Sequence, residues 1–104
     1  MMKFTYTILY VNDVQQTIAF YERAFGLTRK MVYENDYGEL ETGATTLSFA
    51  AKLFVKEGLG IEFQDISTAT APAALEVAFV TEDVQAAFDK AVAAGAAPVK
   101  KPEQ

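Results

Sequence analysis

The chain has 104 residues, room for one domain with a single core and little surplus. It contains no cysteine and no histidine, which excludes disulfides, thiolate metal sites, a cysteine nucleophile and the usual general base near neutral pH. A net charge of −5 with acids and bases interspersed argues against nucleic acid as a partner, and a 51% apolar fraction with eight Phe and five Tyr argues against disorder.

Phe4 to Val11 has the β-branched and aromatic content of a strand, with Thr5, Thr7, Leu9 and Val11 on one face and Phe4, Tyr6, Ile8 and Tyr10 on the other. Neither face is clearly polar, so the strand is expected to be covered on both sides. Asp13 follows as a helix cap, with Gln16 placed to complete a capping box. Val14, Ile18, Tyr21 and Phe25 then form one apolar stripe, and Gly26 suits the C-terminal cap. Leu27 to Glu34 reads as a second strand, Asn35 to Gly38 as a turn, and Glu39 to Thr42 and Thr45 to Ala51 as two short strands. Hairpin-sized connections favour an antiparallel meander for these three.

Lys52 to Ile66 predicts a short helical turn and an irregular arm, because Gly58 and Gly60 break any long helix. Residues 67–72 read as an extended linker. A second unit follows: a strand over Leu75 to Thr81, Asp83 as a cap, a helix with Val84, Phe88, Ala91 and Val92 on its inner face, and Gly95 closing it. Asp13-Val14-Gln15 and Asp83-Val84-Gln85 match residue for residue, which makes Tyr6 and Glu76 equivalent, each eight residues before the valine. Beyond Ala96 there is room for part of one strand, so the second unit is expected to be truncated. An open sheet edge there calls for further chain or a partner copy to cover it.

Three stretches carry a family resemblance: Tyr10-Val11-Asn12-Asp13-Val14 followed by Ile18 to Leu27, then Ala78 to Phe88, then Ala93 to Val99. Together they resemble the vicinal oxygen chelate superfamily, the group of glyoxalases, bleomycin-resistance proteins and extradiol dioxygenases. The resemblance implies an α+β fold of paired βαβββ modules forming a curled mixed-sheet cup, with module one over 3–51, an arm and linker over 52–74 and a partial module two over 75–104. It also implies completion as a homodimer. Enzymes of the group hold a divalent metal with side chains from the first and last strands of each module. Carried over by register, those positions are Tyr6, Ser48 and Glu76. Tyr6 and Ser48 are poor ligands for a divalent ion, so no metal site and no cofactor are expected.

Strand parity puts Tyr6, Ile8 and Tyr10 on one face, Thr46, Ser48 and Ala50 on one, and Glu76 and Ala78 on one. If these converge, the pocket is aromatic and apolar, with hydroxyls and one acid, and Tyr6, Ile8, Tyr10, Ser48 and Glu76 are its ligand contacts. Glu76, between Leu75 and Val77, is the candidate general base should it be buried. The leading expectation is a small-molecule binder without a catalytic metal, with resistance proteins that sequester an antibiotic as the nearest functional parallel. The alternative is a metal-dependent glyoxalase-like lyase or isomerase acting on vicinal-oxygen substrates. The first residues lack a secretory signal and no stretch is long enough to span a membrane, which predicts a cytoplasmic protein without membrane partners.

Overall fold

The computed structural model describes residues 1–66 and 70–103, so the first part of the expected 67–72 linker and the last residue lie outside the described residues. The architecture is α+β. Strand β1 (Tyr6–Val11) leads to helix α1 (Val14–Phe25), then to β2 (Thr28–Tyr33), β3 (Tyr37–Glu41), β4 (Thr46–Ala51), α2 (Lys52–Leu59) and α3 (Val84–Ala93). The four strands form one mixed sheet in the order β1-β4-β3-β2. β4 runs parallel to β1 and antiparallel to β3, and β3 runs antiparallel to β2, so the expected meander is present.

Local chemistry fixes α1 at both ends. Asp13 Oδ1 accepts from the Gln16 N–H at 2.9 Å, and Thr17 Oγ1 donates to the Asp13 carbonyl at 2.7 Å. Gly26 takes φ +68° and donates its N–H to the Glu22 carbonyl. A further bond comes from the β2–β3 turn: Gln15 N–H donates to Asn35 Oδ1 at 3.0 Å while Gln15 Nε2 donates to the Glu34 carbonyl at 2.9 Å. The turn is thereby tied to the helix start, and Glu34 holds φ +52° there. Asp13→Ala removes a cap and should lower stability by about 1 kcal/mol in urea denaturation, with serine at the same position recovering most of it.

The core lies between α1 and one face of the sheet. Val14 and Ile18 are fully buried against Leu40, Leu47 and Phe49, with Leu9, Val11, Tyr21 and Val32 packed around them. The expected stripe is present except that Phe25 is exposed and Ala24 is buried. Gly38 explains how closely the helix approaches: a Cβ there would stand 3.0 Å from Val14 Cγ1 and 3.2 Å from Ile18 Cγ1. Composition alone places Gly38 in the turn. In the structure it is a buried strand residue of β3, and its lack of a side chain is what admits α1.

Several expectations require correction. β1 is an edge strand, and Tyr6 and Ile8 are 50% and 46% exposed, so cover on both sides is not achieved. α2 is a two-turn helix rather than a single turn, because Gly58 stays helical and only Gly60, at φ +65°, ends it. In the second unit, Asp83 caps α3 through the Ala86 N–H at 3.0 Å, matching Asp13. Only Ala91 of the expected inner face is buried; Phe88 is half-buried, and Val84 and Val92 are exposed. The expected strand over 75–81 does not form, nor does one after Ala96. Segment 75–81 pairs with no strand among the described residues. Phe79 instead packs on α1, its ring centroid 5.0 Å from Phe25 and 6.5 Å from Tyr21.

Candidate functional site

Alternation along the strands sends Leu9, Val11, Leu40, Leu47 and Phe49 toward α1 and leaves a second, open face. Register sets what that face carries. Tyr6 pairs with Thr46, Ile8 with Ser48 and Tyr10 with Ala50, while Ser48 pairs with Glu39 and Ala50 with Tyr37. Tyr6, Ile8, Tyr10, Ser48, Tyr37 and Glu39 therefore share one surface, and β2 adds Met31 opposite Glu39 and Tyr33 opposite Tyr37. The described residues leave this surface open rather than closing it into a cup.

A hydrogen-bonded polar cluster occupies its centre. Tyr37 Oη donates to Glu39 Oε2 at 2.7 Å. Ser48 is fully buried beside this pair, with Oγ 3.4 Å from the Thr7 carbonyl. Burial raises the pKa of Tyr37. The Glu39 carboxylate adds to the rise by accepting its proton and by like-charge repulsion of the phenolate, and the Ser48 hydroxyl opposes it. Glu39 uses one oxygen on Tyr37, which leaves the other available to an incoming donor, and among the described residues no Lys or Arg forms an ion pair with it. An alkaline titration followed at about 295 nm, where phenolate absorbs, should contain phenols ionising above the ordinary tyrosine value, Tyr37 and the half-buried Tyr21. Glu39→Gln should return part of the Tyr37 shift and leave that of Tyr21 unchanged.

The candidates drawn from the sequence fare differently. Tyr6, Ile8, Tyr10 and Ser48 share one face through the β1–β4 register, with Ser48 buried beneath the surface. Glu76 is exposed, and no hydrogen bond or ion pair among the described residues joins it to the others. Its neighbours Val77 and Phe79 line a cleft of about 970 Å³ between α1, α3 and the 77–81 segment, on the helical side of the sheet. That cleft is lined mostly by apolar side chains, with Tyr21, Thr42, Thr81 and Lys90 as its polar ones. Tyr37 and Glu39 were missed because composition assigned one to a turn and the other to a strand start. The alternation of Tyr37 and Glu39 with Gly38 and Leu40 was the available signal.

The metal that the fold family implies does not suit these residues. Among the described residues no three His, Cys, Asp or Glu side chains gather as a metal site. Of the register positions, Ser48 is buried with its hydroxyl near the Thr7 carbonyl, Tyr6 offers a phenol, and Glu76 stands apart as an exposed carboxylate.

The family model described as glyoxalase/bleomycin resistance protein/dioxygenase superfamily matches residues 3–104. Solved structures agree in fold. A glyoxalase/bleomycin resistance protein/dioxygenase family enzyme from Burkholderia phytofirmans PsJN is 20% identical, with a TM-score of 0.71 over 99% of this chain and 81% of its own. A glyoxalase/bleomycin resistance protein/dioxygenase from Nocardioides is 18% identical, with a TM-score of 0.70 over 99% of this chain and 68% of its own. TioX from Micromonospora sp. ML1 is 20% identical, with a TM-score of 0.66 over 98% of this chain and 80% of its own. A search of curated proteins found no match. No helix among the described residues is long and apolar enough to cross a membrane.

Proposed function

The chain belongs to the glyoxalase/bleomycin resistance protein/dioxygenase superfamily, and from that premise we propose that it binds a small aromatic cation on the open sheet face, without a catalytic metal. The observation that carries this reading is the Tyr37–Glu39 pair at the centre of a face otherwise lined by Tyr6, Ile8, Tyr10, Met31 and Tyr33. Aromatic and aliphatic side chains supply stacking area, and Glu39 supplies the charge that selects a cation. Tyr37 holds that carboxylate in place, so a ligand meets an anchor already oriented. The anchoring acid is Glu39 rather than Glu76.

A second copy set against the β1 edge would cover Tyr6 and Ile8 and turn the open face into a cup. Sedimentation velocity at micromolar concentration should therefore show a dimer, and a monomer there would remove this part of the reading.

The test uses 1-pyrenylmethylammonium as the aromatic cation and 1-pyrenemethanol as its neutral counterpart, followed by fluorescence. Binding of the ammonium with clear preference over the alcohol is the expected result. Equal binding of the two would overturn it. So would retention of one Ni²⁺ or Zn²⁺ per chain in equilibrium dialysis, together with hemithioacetal turnover that is lost in Glu76→Gln.

A further inference from the structure

The arm that follows α2 lies against one end of the open face. Lys52 Nζ pairs with Asp65 Oδ1 at 3.3 Å, the lysine side chain largely buried and the aspartate exposed. Two residues before that anchor, the Phe63 ring meets Tyr10 edge-on, with centroids 4.9 Å apart and planes at 70°. Lys56 Nζ stands 5.1 Å from the centre of the same Phe63 ring. Ile66 continues past Tyr10 to a small cleft shared with Asn12 and Phe20. Exposure along β1 follows this arrangement: Tyr6 and Ile8 are open, whereas Tyr10, under the arm, is partly covered.

The face is therefore electrostatically uneven, with an acid at its centre and a cation at one end. Glu39 lies opposite Ser48 in the middle of the sheet, with Ile8 on the far side of that serine, and Lys56 stands over the Phe63 ring at the Tyr10 end. Among the described residues no carboxylate pairs with Lys56. Its ammonium occupies the position over the Phe63 ring that a ligand's cation would otherwise seek.

We propose that Lys56, positioned by Phe63, is a specificity-determining residue that gives the ligand face a polarity: it accepts an aromatic monocation with its charge at Glu39 and its neutral ring toward Tyr10 and Phe63, and rejects a rigid dication that spans the face. This rests on the reading of that face as the ligand site. The Lys52–Asp65 pair fixes the arm so that the positive end stays where it is. Lys56 and Phe63 flank Gly58 and Gly60, so they come together only because the chain reverses after α2 with Gly60 in the left-handed region.

The experiment compares 1-pyrenylmethylammonium with a pyrene bearing aminomethyl groups at opposite ends, at low ionic strength, on the full chain and on Lys56→Gln. The unmodified chain should favour the monocation. Lys56→Gln should strengthen dication binding about threefold or more while changing monocation binding little, and salt at about 0.5 M should erase most of the difference. If the monocation binds well and Lys56→Gln leaves the ratio of the two unchanged, the polarity is overturned and the ligand reading stands. If neither probe binds the unmodified chain, the ligand reading fails and the polarity with it.

Discussion

Phe49→Ala is expected to lower the free energy of unfolding by about 3–5 kcal/mol, a large part of the roughly 5–15 kcal/mol that a domain of this kind possesses. Phe49 is fully buried in β4, a strand with neighbours on both sides, and its ring lies 4.9 Å from Tyr21 on α1. It joins the helix and the central strand to the cluster of Val14, Ile18, Leu40 and Leu47. Removing the ring leaves a cavity that strand and helix cannot close without breaking the ladder or the Gly38 contact. Urea denaturation should show a much lower midpoint at an unchanged slope. Phe79→Ala, on the exposed α1–α3 side, should cost far less. Equal losses at the two positions would mean that the core is not where the structure places it.

Glu39→Gln is expected to weaken binding of 1-pyrenylmethylammonium about tenfold or more, the loss of a charge-assisted contact, while leaving stability nearly unchanged. The amide keeps the size of the side chain and its oxygen can still accept from Tyr37, so the aromatic surface remains intact. 1-Pyrenemethanol should bind the variant as it binds the unmodified chain. Glu76→Gln should change neither affinity, because Glu76 stands apart from the face.

The legible part of the fold was the part determined locally. Asp13, the Val14–Ile18–Tyr21 stripe and Gly26 each act within one helix, and each appears in the structure in its expected role, as does Asp83 at the start of α3, although that helix buries only Ala91 of its expected inner face and is capped by Ala94 rather than Gly95. What could not be read depends on contacts distant in sequence. Gly38 sits beside Asn35 and Asp36, where composition suggests a turn, and its actual role depends on α1 side chains about twenty residues earlier. The Leu75–Thr81 segment has strand composition, but a strand also needs a neighbour. Without one, Phe79 packs against Phe25 instead.

The candidate site divided along the same line. Parity placed Tyr6, Ile8 and Tyr10 on one face of β1 and Ser48 on one face of β4, and the unbroken β1–β4 register joins the two. The acid was assigned to Glu76 through the repeat, which carries no information on whether the second strand joins the sheet. Glu39 needed the hairpin turn to end at Asp36 rather than at Gly38, so that Tyr37 falls opposite Ala50 and Glu39 opposite Ser48.

The most direct measurement is a map of backbone amide shifts on addition of 1-pyrenylmethylammonium, whose ring current marks what it covers. The largest shifts are expected on Ile8, Tyr10, Tyr37, Glu39 and Met31, with the α3 amides unmoved. Shifts centred on Phe79, Phe88 and Ala91 would place the ligand in the α1–α3 cleft and contradict the assignment of the sheet face as the binding surface.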